Sequence, residues 1–294
     1  MNHILEILFA PGFFQSEEVM NALILGSIVA AMSGVIGVFV VMRRQSFAGH
    51  AISDFGGAGA AIAFLIGVNT LWGFLSFGVF AAICMEFLGK HAHERDLATG
   101  IILSIALGLE SLFLYFDTHF TGKASAPMLI LFGSIFVVGY STVKIIVFLT
   151  VTTAIVICII YRPLLLSSID PELAITRGVS VRVINIVFII VLALIVEECS
   201  LITGSLLSTA LLIGPAAAAL HFTHKIRWTM LWSALIGIIS MWLGIVFSYD
   251  SYRWPPYGKG WAVSFFVPML IFLFYLFSKL LGKILKARRV IYDA

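Results

Sequence analysis

Charge is what this chain has least of. Asp, Glu, Lys and Arg make up 11% of its 294 residues, against 61% hydrophobic residues, whereas a soluble globular domain carries about 25% charged residues. A water-soluble fold is thereby excluded, and the chain reads as an integral membrane protein. Hydrophilic stretches long enough for a separate soluble domain are lacking too, so residues 1–294 read as one polytopic, all-α unit packed helix against helix. Catalytic signatures are missing in turn. There is no GxxxxGK[ST] loop to cradle the phosphates of ATP, no HExxH pair and no Gly-x-Ser-x-Gly elbow. The chain is therefore read as no enzyme. Cysteine is sparse: Cys84, Cys158 and Cys199 lie in apolar stretches without CxxC spacing, which excludes a disulfide framework and leaves them as small core residues. No clear internal repeat is present, which disfavours transporters built from two related halves with matched broken helices.

What is present is a succession of apolar runs. Runs of about 18 to 24 residues cross about 30 Å of hydrocarbon, and they occur at 20–42, 51–68, 71–89, 97–116, 142–161, 183–201, 203–220, 229–249 and 262–282. They predict nine transmembrane helices. A count of eight with one pair of half-helices also satisfies the pattern if a terminal segment is reassigned. The stretch "PMLILFGSIFVV" (127–138) is too short to cross and carries a central Gly-Ser, so it reads as a re-entrant or interfacial piece. Residues 1–19 contain no Lys or Arg and too weak an apolar core for a secretory signal, and are read as an extracytoplasmic amphipathic lead-in.

Charge placement orients the chain. With the N-terminus outside and the C-terminus in the cytoplasm, fourteen of the eighteen Lys and Arg residues fall on the cytoplasmic side: thirteen in the loops around 43–49, 90–96, 162–182 and 221–228 and in the tail after 282, and Lys279 at the cytoplasmic end of the last run. Short cytoplasmic loops collect positive charge in this way. The segment 162–182 is the longest hydrophilic one, within "YRPLLLSSIDPELAITRGVSVRVIN" (161–185). Asp170 suits a helix N-cap, Pro171 a first helical position and Gly178 a helix stop, predicting a short helix on the cytoplasmic face. It is either a capped loop between spans or a docking element for a cytoplasmic partner, with Asp170, Pro171, Glu172, Arg177 and Gly178 as its defining residues.

Ionisable residues inside spans carry the functional signal, because each costs at least about 2.5–3.5 kcal/mol at the bilayer centre unless it is paired or faces water. His50 and Asp54 stand four apart in "GHAISDFGGAGAAIAFLIG" (49–67), so on a helix an imidazole and a carboxylate face the same way. They form either a structural hydrogen bond or part of a site for a divalent cation. The small residues 56–61 that follow fit either a narrow pathway or close helix packing. Glu110 is the next candidate for a pathway. Glu197 and Glu198 are placed near the outer surface, where they attract an arriving cation, meet a delivering protein or are merely solvated. His91 and His93 in "KHAHERD" point apart at i, i+2 and read as part of a charge cluster. Gly214-Pro215 either breaks or kinks its span.

Five segments in order resemble one family. "VMRRQSFAGHAISD", "ERDLATGIIL", "LILFGSI", "YRPLLLSSIDPELAITRGV" and "GSLLSTALLIGPAAAA" are similar to segments of the permeases of ABC importers that move zinc, manganese or iron, and the likeness covers roughly residues 20–285. In that family an Asp precedes a His by four residues, whereas here His50 comes first and Asp54 second. The ligand types survive in reversed order. The resemblance implies a bacterial inner-membrane permease with eight or nine transmembrane helices and a short cytoplasmic coupling helix. It implies His50 and Asp54, with Glu110 as the further candidate, as metal ligands, and Asp170 to Gly178 as the ATPase-coupling segment. It also implies a second copy or a paralogous permease, a cytoplasmic ABC ATPase and an extracytoplasmic metal-binding protein as partners, with lipid around the chain. No nucleic acid and no permanently bound cofactor are expected. A self-contained secondary metal-ion transporter is the alternative reading.

Overall fold

The computed structural model describes residues 13–88, 92–120, 122, 125–133, 135–223, 225–255, 257–258 and 260–292. Most of the predicted lead-in lies outside these residues, as does His91, and the side chain of His93 lies outside the description too. Among the described residues every regular element is helical. The α-helices are α1 (Glu17–Met42), α2 (Ser46–Leu65), α3 (Thr70–Leu88), α4 (Ala92–His119), α5 (Ala126–Phe132), α6 (Tyr140–Ile169), α7 (Pro171–Thr176), α8 (Val181–Thr203), α9 (Ser208–Ala219), α10 (Ile226–Asp250) and α11 (Val263–Tyr292).

Among the described residues, seven helices are long and apolar enough to cross a membrane: Glu17–Met42, Thr70–Leu88, Leu97–His119, Tyr140–Ile169, Val181–Thr203, Ile226–Arg253 and Val263–Gly282. Two of the nine expected spans are realised differently. The run at 51–68 forms a helix of full length, α2, but polar residues and glycines dilute its hydropathy. Fourteen of its twenty residues are buried, because α3, α4 and α8 pack around it. A helix shielded by its neighbours need not be apolar. The run at 203–220 yields only the twelve-residue α9, which at 1.5 Å per residue measures about 18 Å and is too short to cross alone. Its Gly214 and Pro215 lie inside the helix, so the chain breaks at Gly204 rather than there.

The chain forms two compact units. One comprises Met1–Val38 and Ala210–Ala294. Here α1 lies against α10, with Ser233 Oγ donating to the Gly34 carbonyl at 2.7 Å and Trp242 Nε1 donating to Ser27 Oγ at 2.6 Å. α10 packs on α11. The other unit, Phe39–Thr209, holds α2 at its centre. The helix α6, at thirty residues, is about 45 Å long and exceeds the about 30 Å hydrocarbon core. It turns Phe148, Val151, Ile155 and Ile159 outward, an apolar stripe of the kind lipid demands.

Two glycines fix the break after α8. Gly133 and Gly204 have φ of 81° and 87°, a region closed to other residues. A Cβ on Gly133 would strike the Ile202 carbonyl, and one on Gly204 the Leu131 carbonyl. The Ser205 N–H donates to the Ile130 carbonyl at 3.0 Å. The short α5, read correctly as too short to cross, is thereby welded to the α8–α9 connection. Gly204→Ala is expected to destabilise the protein by at least about 1–3 kcal/mol, seen as a lower melting temperature in detergent. Gly139→Ala, where an added Cβ meets nothing, should stay within about 0.5 kcal/mol.

Candidate functional site

The helix α2 starts after a tight turn in which Arg44 adopts a φ of 56°. His50 Nε2 and Asp54 Oδ2 then lie 3.7 Å apart on one face, as their spacing requires, with His50 38% exposed and Asp54 fully buried. Neither carboxylate oxygen of Asp54 has a hydrogen-bond partner among the described residues, and nor does His50 Nδ1. Burying an ionised carboxylate with so little compensation costs several kcal/mol. The pair is not a closed structural hydrogen bond, since 3.7 Å is too long for one. It presents one nitrogen and one oxygen donor toward the same point.

Further acids surround it. Glu110 on α4 is buried and accepts a hydrogen bond from Ser205 Oγ at 2.8 Å. Glu197 on α8 is fully buried, and neither of its carboxylate oxygens has a partner among the described residues. Asp54, Glu110 and Glu197 act on one another electrostatically. Glu198 points elsewhere, taking a hydrogen bond from Thr150 Oγ1 at 2.6 Å. The expected surface position of Glu197 and Glu198 is therefore corrected. Both sit inside the bundle, because α8 packs against α2, α3 and α6 at this level.

The small residues after Asp54 make the room. A Cβ on Gly56 or on Gly78 of α3 would overlap the Glu197 carboxylate, and one on Gly57 would overlap Glu110 Oε1. Gly59 serves packing instead, lying backbone to backbone with Gly73. Close helix packing is thus realised at Gly59, while Gly56 and Gly57 leave volume to two buried carboxylates. A hydroxyl cluster completes the surroundings: Ser53 Oγ lies 2.8 Å from Ser200 Oγ and 2.6 Å from Ser208 Oγ, and donates to the Ser205 carbonyl at 2.7 Å. Sequence reasoning missed these serines. Their signal was "GSLLST", hydroxyls immediately after a break-forming glycine.

Among the described residues no three His, Cys, Asp or Glu side chains converge tightly enough to hold a metal ion. The chain supplies a two-donor pair flanked by acids rather than a closed cage. Zinc takes about four donors and manganese more, so the pair by itself does not complete a coordination shell for either.

The second predicted element also stands where its signals place it. Leu173 N–H donates to Asp170 Oδ1 at 3.0 Å, Pro171 occupies the first turn of α7, Arg177 is the C-cap and Gly178 follows with φ 78°. Ile169, Leu173 and Ile175 are exposed apolar side chains on or beside this short helix, while Ala174 is buried against the protein.

Comparison with known proteins places this architecture. The chain is 32% identical over 244 residues to the manganese import system permease protein ScaB of Streptococcus parasanguinis, covering 82% of this chain and 85% of that protein. It is 28% identical over 289 residues to the manganese transport system membrane protein MntC of Listeria innocua, covering 98% and 100%. Among solved structures, PsaBC from Streptococcus pneumoniae in complex with Fab matches with a TM-score of 0.76 and 25% identity over 91% of this chain and 92% of that one. The model of the ABC 3 transport family matches residues 15–277, nearly the whole length, and the chain belongs to that family.

Proposed function

We propose that this chain is the membrane-spanning permease subunit of an ABC importer whose cargo is a divalent transition metal, with manganese favoured over zinc and iron. The manganese systems named among its relatives support that preference. The subunit sits in a bacterial inner membrane, N-terminus outside and C-terminus in the cytoplasm. It pairs with a second copy, takes metal from an extracytoplasmic binding protein and is driven by a cytoplasmic ATPase. Nine crossings, with α9 and the broken segment before it making the seventh, keep the termini on opposite sides and agree with the charge bias. Secondary transport is the weaker reading, because it gives no role to α7.

The observation that carries the metal assignment is the buried Asp54 carboxylate, without a hydrogen-bond partner among the described residues, beside His50. An arriving cation compensates a charge that the protein leaves uncompensated, with Glu110 the next acid in reach. Transport requires that the partner's energy shift the permease between states facing opposite sides, and that shift must arrive through differential contacts. The exposed Ile169, Leu173 and Ile175 beside the capped α7 suit such a contact.

His50→Ala and Asp54→Ala should each lower manganese uptake by more than about tenfold, the scale that even groups orienting a metal ligand reach, with membrane abundance unchanged. The exchange of both residues, His50→Asp with Asp54→His, should retain partial uptake because both donors keep one face. Normal transport by both alanine variants would reduce the pair to a structural feature. For the coupling helix, Glu172→Lys and Gly178→Val should weaken assembly with the ATPase or separate hydrolysis from uptake. Unchanged uptake together with unchanged hydrolysis would leave α7 as a plain connection. Impermeant thiol reagents applied to intact cells should label a cysteine introduced at position 120 or 255 and spare one at position 93; the opposite pattern overturns the orientation.

A further inference from the structure

Arg43 holds together three pieces of chain that the proposed mechanism needs to move in concert. It lies in the turn between α1 and α2, a few residues before His50. Its Nε donates to Ser168 Oγ at 2.7 Å, its Nη2 to Ser167 Oγ at 2.7 Å and its Nη1 to Asn185 Oδ1 at 2.8 Å. The guanidinium also lies 4.8 Å from the centre of the Phe188 ring. Ser167 and Ser168 end α6 just before Asp170, the cap of α7, while Asn185 and Phe188 open α8 just after it. The fork therefore spans both flanks of α7 and ties them to the start of α2.

The acceptors are prepared for this role. The hydroxyls of Ser167 and Ser168 both donate to the Leu164 carbonyl, at 3.1 Å and 2.6 Å, so their lone pairs are left for the guanidinium. Rigid planar forks lose little freedom on bonding in this way, and a lysine cannot reach separated acceptors together. One turn earlier α6 contains Pro163. Proline carries no N–H, so the helix lacks one hydrogen bond there and is weakened at that point. The segment from Leu164 through α7 thus follows a missing hydrogen bond at Pro163 and is tied by Arg43 to the turn before α2.

We infer that Arg43 is a positioning residue that transmits displacement of α7 to α2, and hence to His50 and Asp54. The inference rests on α7 being the point where the ATPase acts. It is tested on the full chain in inside-out membrane vesicles of its host, with Cys84, Cys158 and Cys199 replaced by alanine. Reporter cysteines are placed by Phe47→Cys on α2 and Ile175→Cys on α7, both exposed positions, and maleimide labelling is followed with and without MgATP. With Arg43 present, MgATP should alter labelling at both positions. With Arg43→Ala the response at 175 should persist and that at 47 be lost, and manganese uptake should fall at least about threefold. Asn185→Asp, which keeps the acceptor, should retain both responses. Should Arg43→Ala fail to accumulate, the pair Ser167→Ala with Asn185→Leu removes acceptors and is read the same way. An ATP response at 47 that survives loss of the fork overturns the inference, as does a response at 175 with none at 47 when Arg43 is present. No response at 175 in the parent chain overturns the coupling role of α7, and the Arg43 inference with it.

Discussion

A buried carboxylate without a hydrogen-bond partner governs this structure. Asp54 and Glu197 are buried from bulk solvent, and no described residue donates a hydrogen bond to either carboxylate, so something else must supply positive charge or the acids must be shielded at a cost of several kcal/mol. The surrounding architecture is organised by that requirement. Glycines on α2 and α3 leave the volume that the carboxylates occupy. The α8–α9 break brings Ser205 to Glu110 and hydroxyls to Ser53. Long apolar helices are what allow α2 to be polar at all, since they take the lipid-facing positions themselves.

The same requirement explains why the site is open-ended. A tight cage would satisfy the carboxylates permanently and hold its ion. In the proposed importer, a pair of donors flanked by acids stays unsatisfied until cargo arrives and loses it when geometry shifts. Weak binding and a high cost of emptiness are two sides of one arrangement, and the arrangement has to be altered by contacts elsewhere if the ion is to move one way.

Much of this was legible in the sequence, for reasons that differ by element. Apolar runs revealed the long helices because lipid imposes composition directly on whatever faces it. Asp170, Pro171 and Gly178 marked α7 because capping is local chemistry between neighbours in sequence. His50 and Asp54 shared a face because helical spacing alone places them there. What sequence could not give was depth. Glu197 and Glu198 read as near-surface acids because their distance along the span was visible, whereas the neighbours that bury them, Gly56, Gly78 and Thr150, come from remote segments. Gly214-Pro215 left a break or a kink open, and the break at Gly204 went unseen for a like reason: proline marks a local weakness, but only the approach of Leu131 makes Gly204 indispensable.

The facing glycines 133 and 204 also divide what moves from what does not. Backbone that is not helical is tolerated at membrane depth only while protein covers it. The turn after α8 keeps that cover through α5, by contacts too close to slide. Separating the two would strip polar peptide groups bare in an apolar medium. During any change of access, α5 and the end of α8 must therefore travel as one body, carrying Ser205 with them.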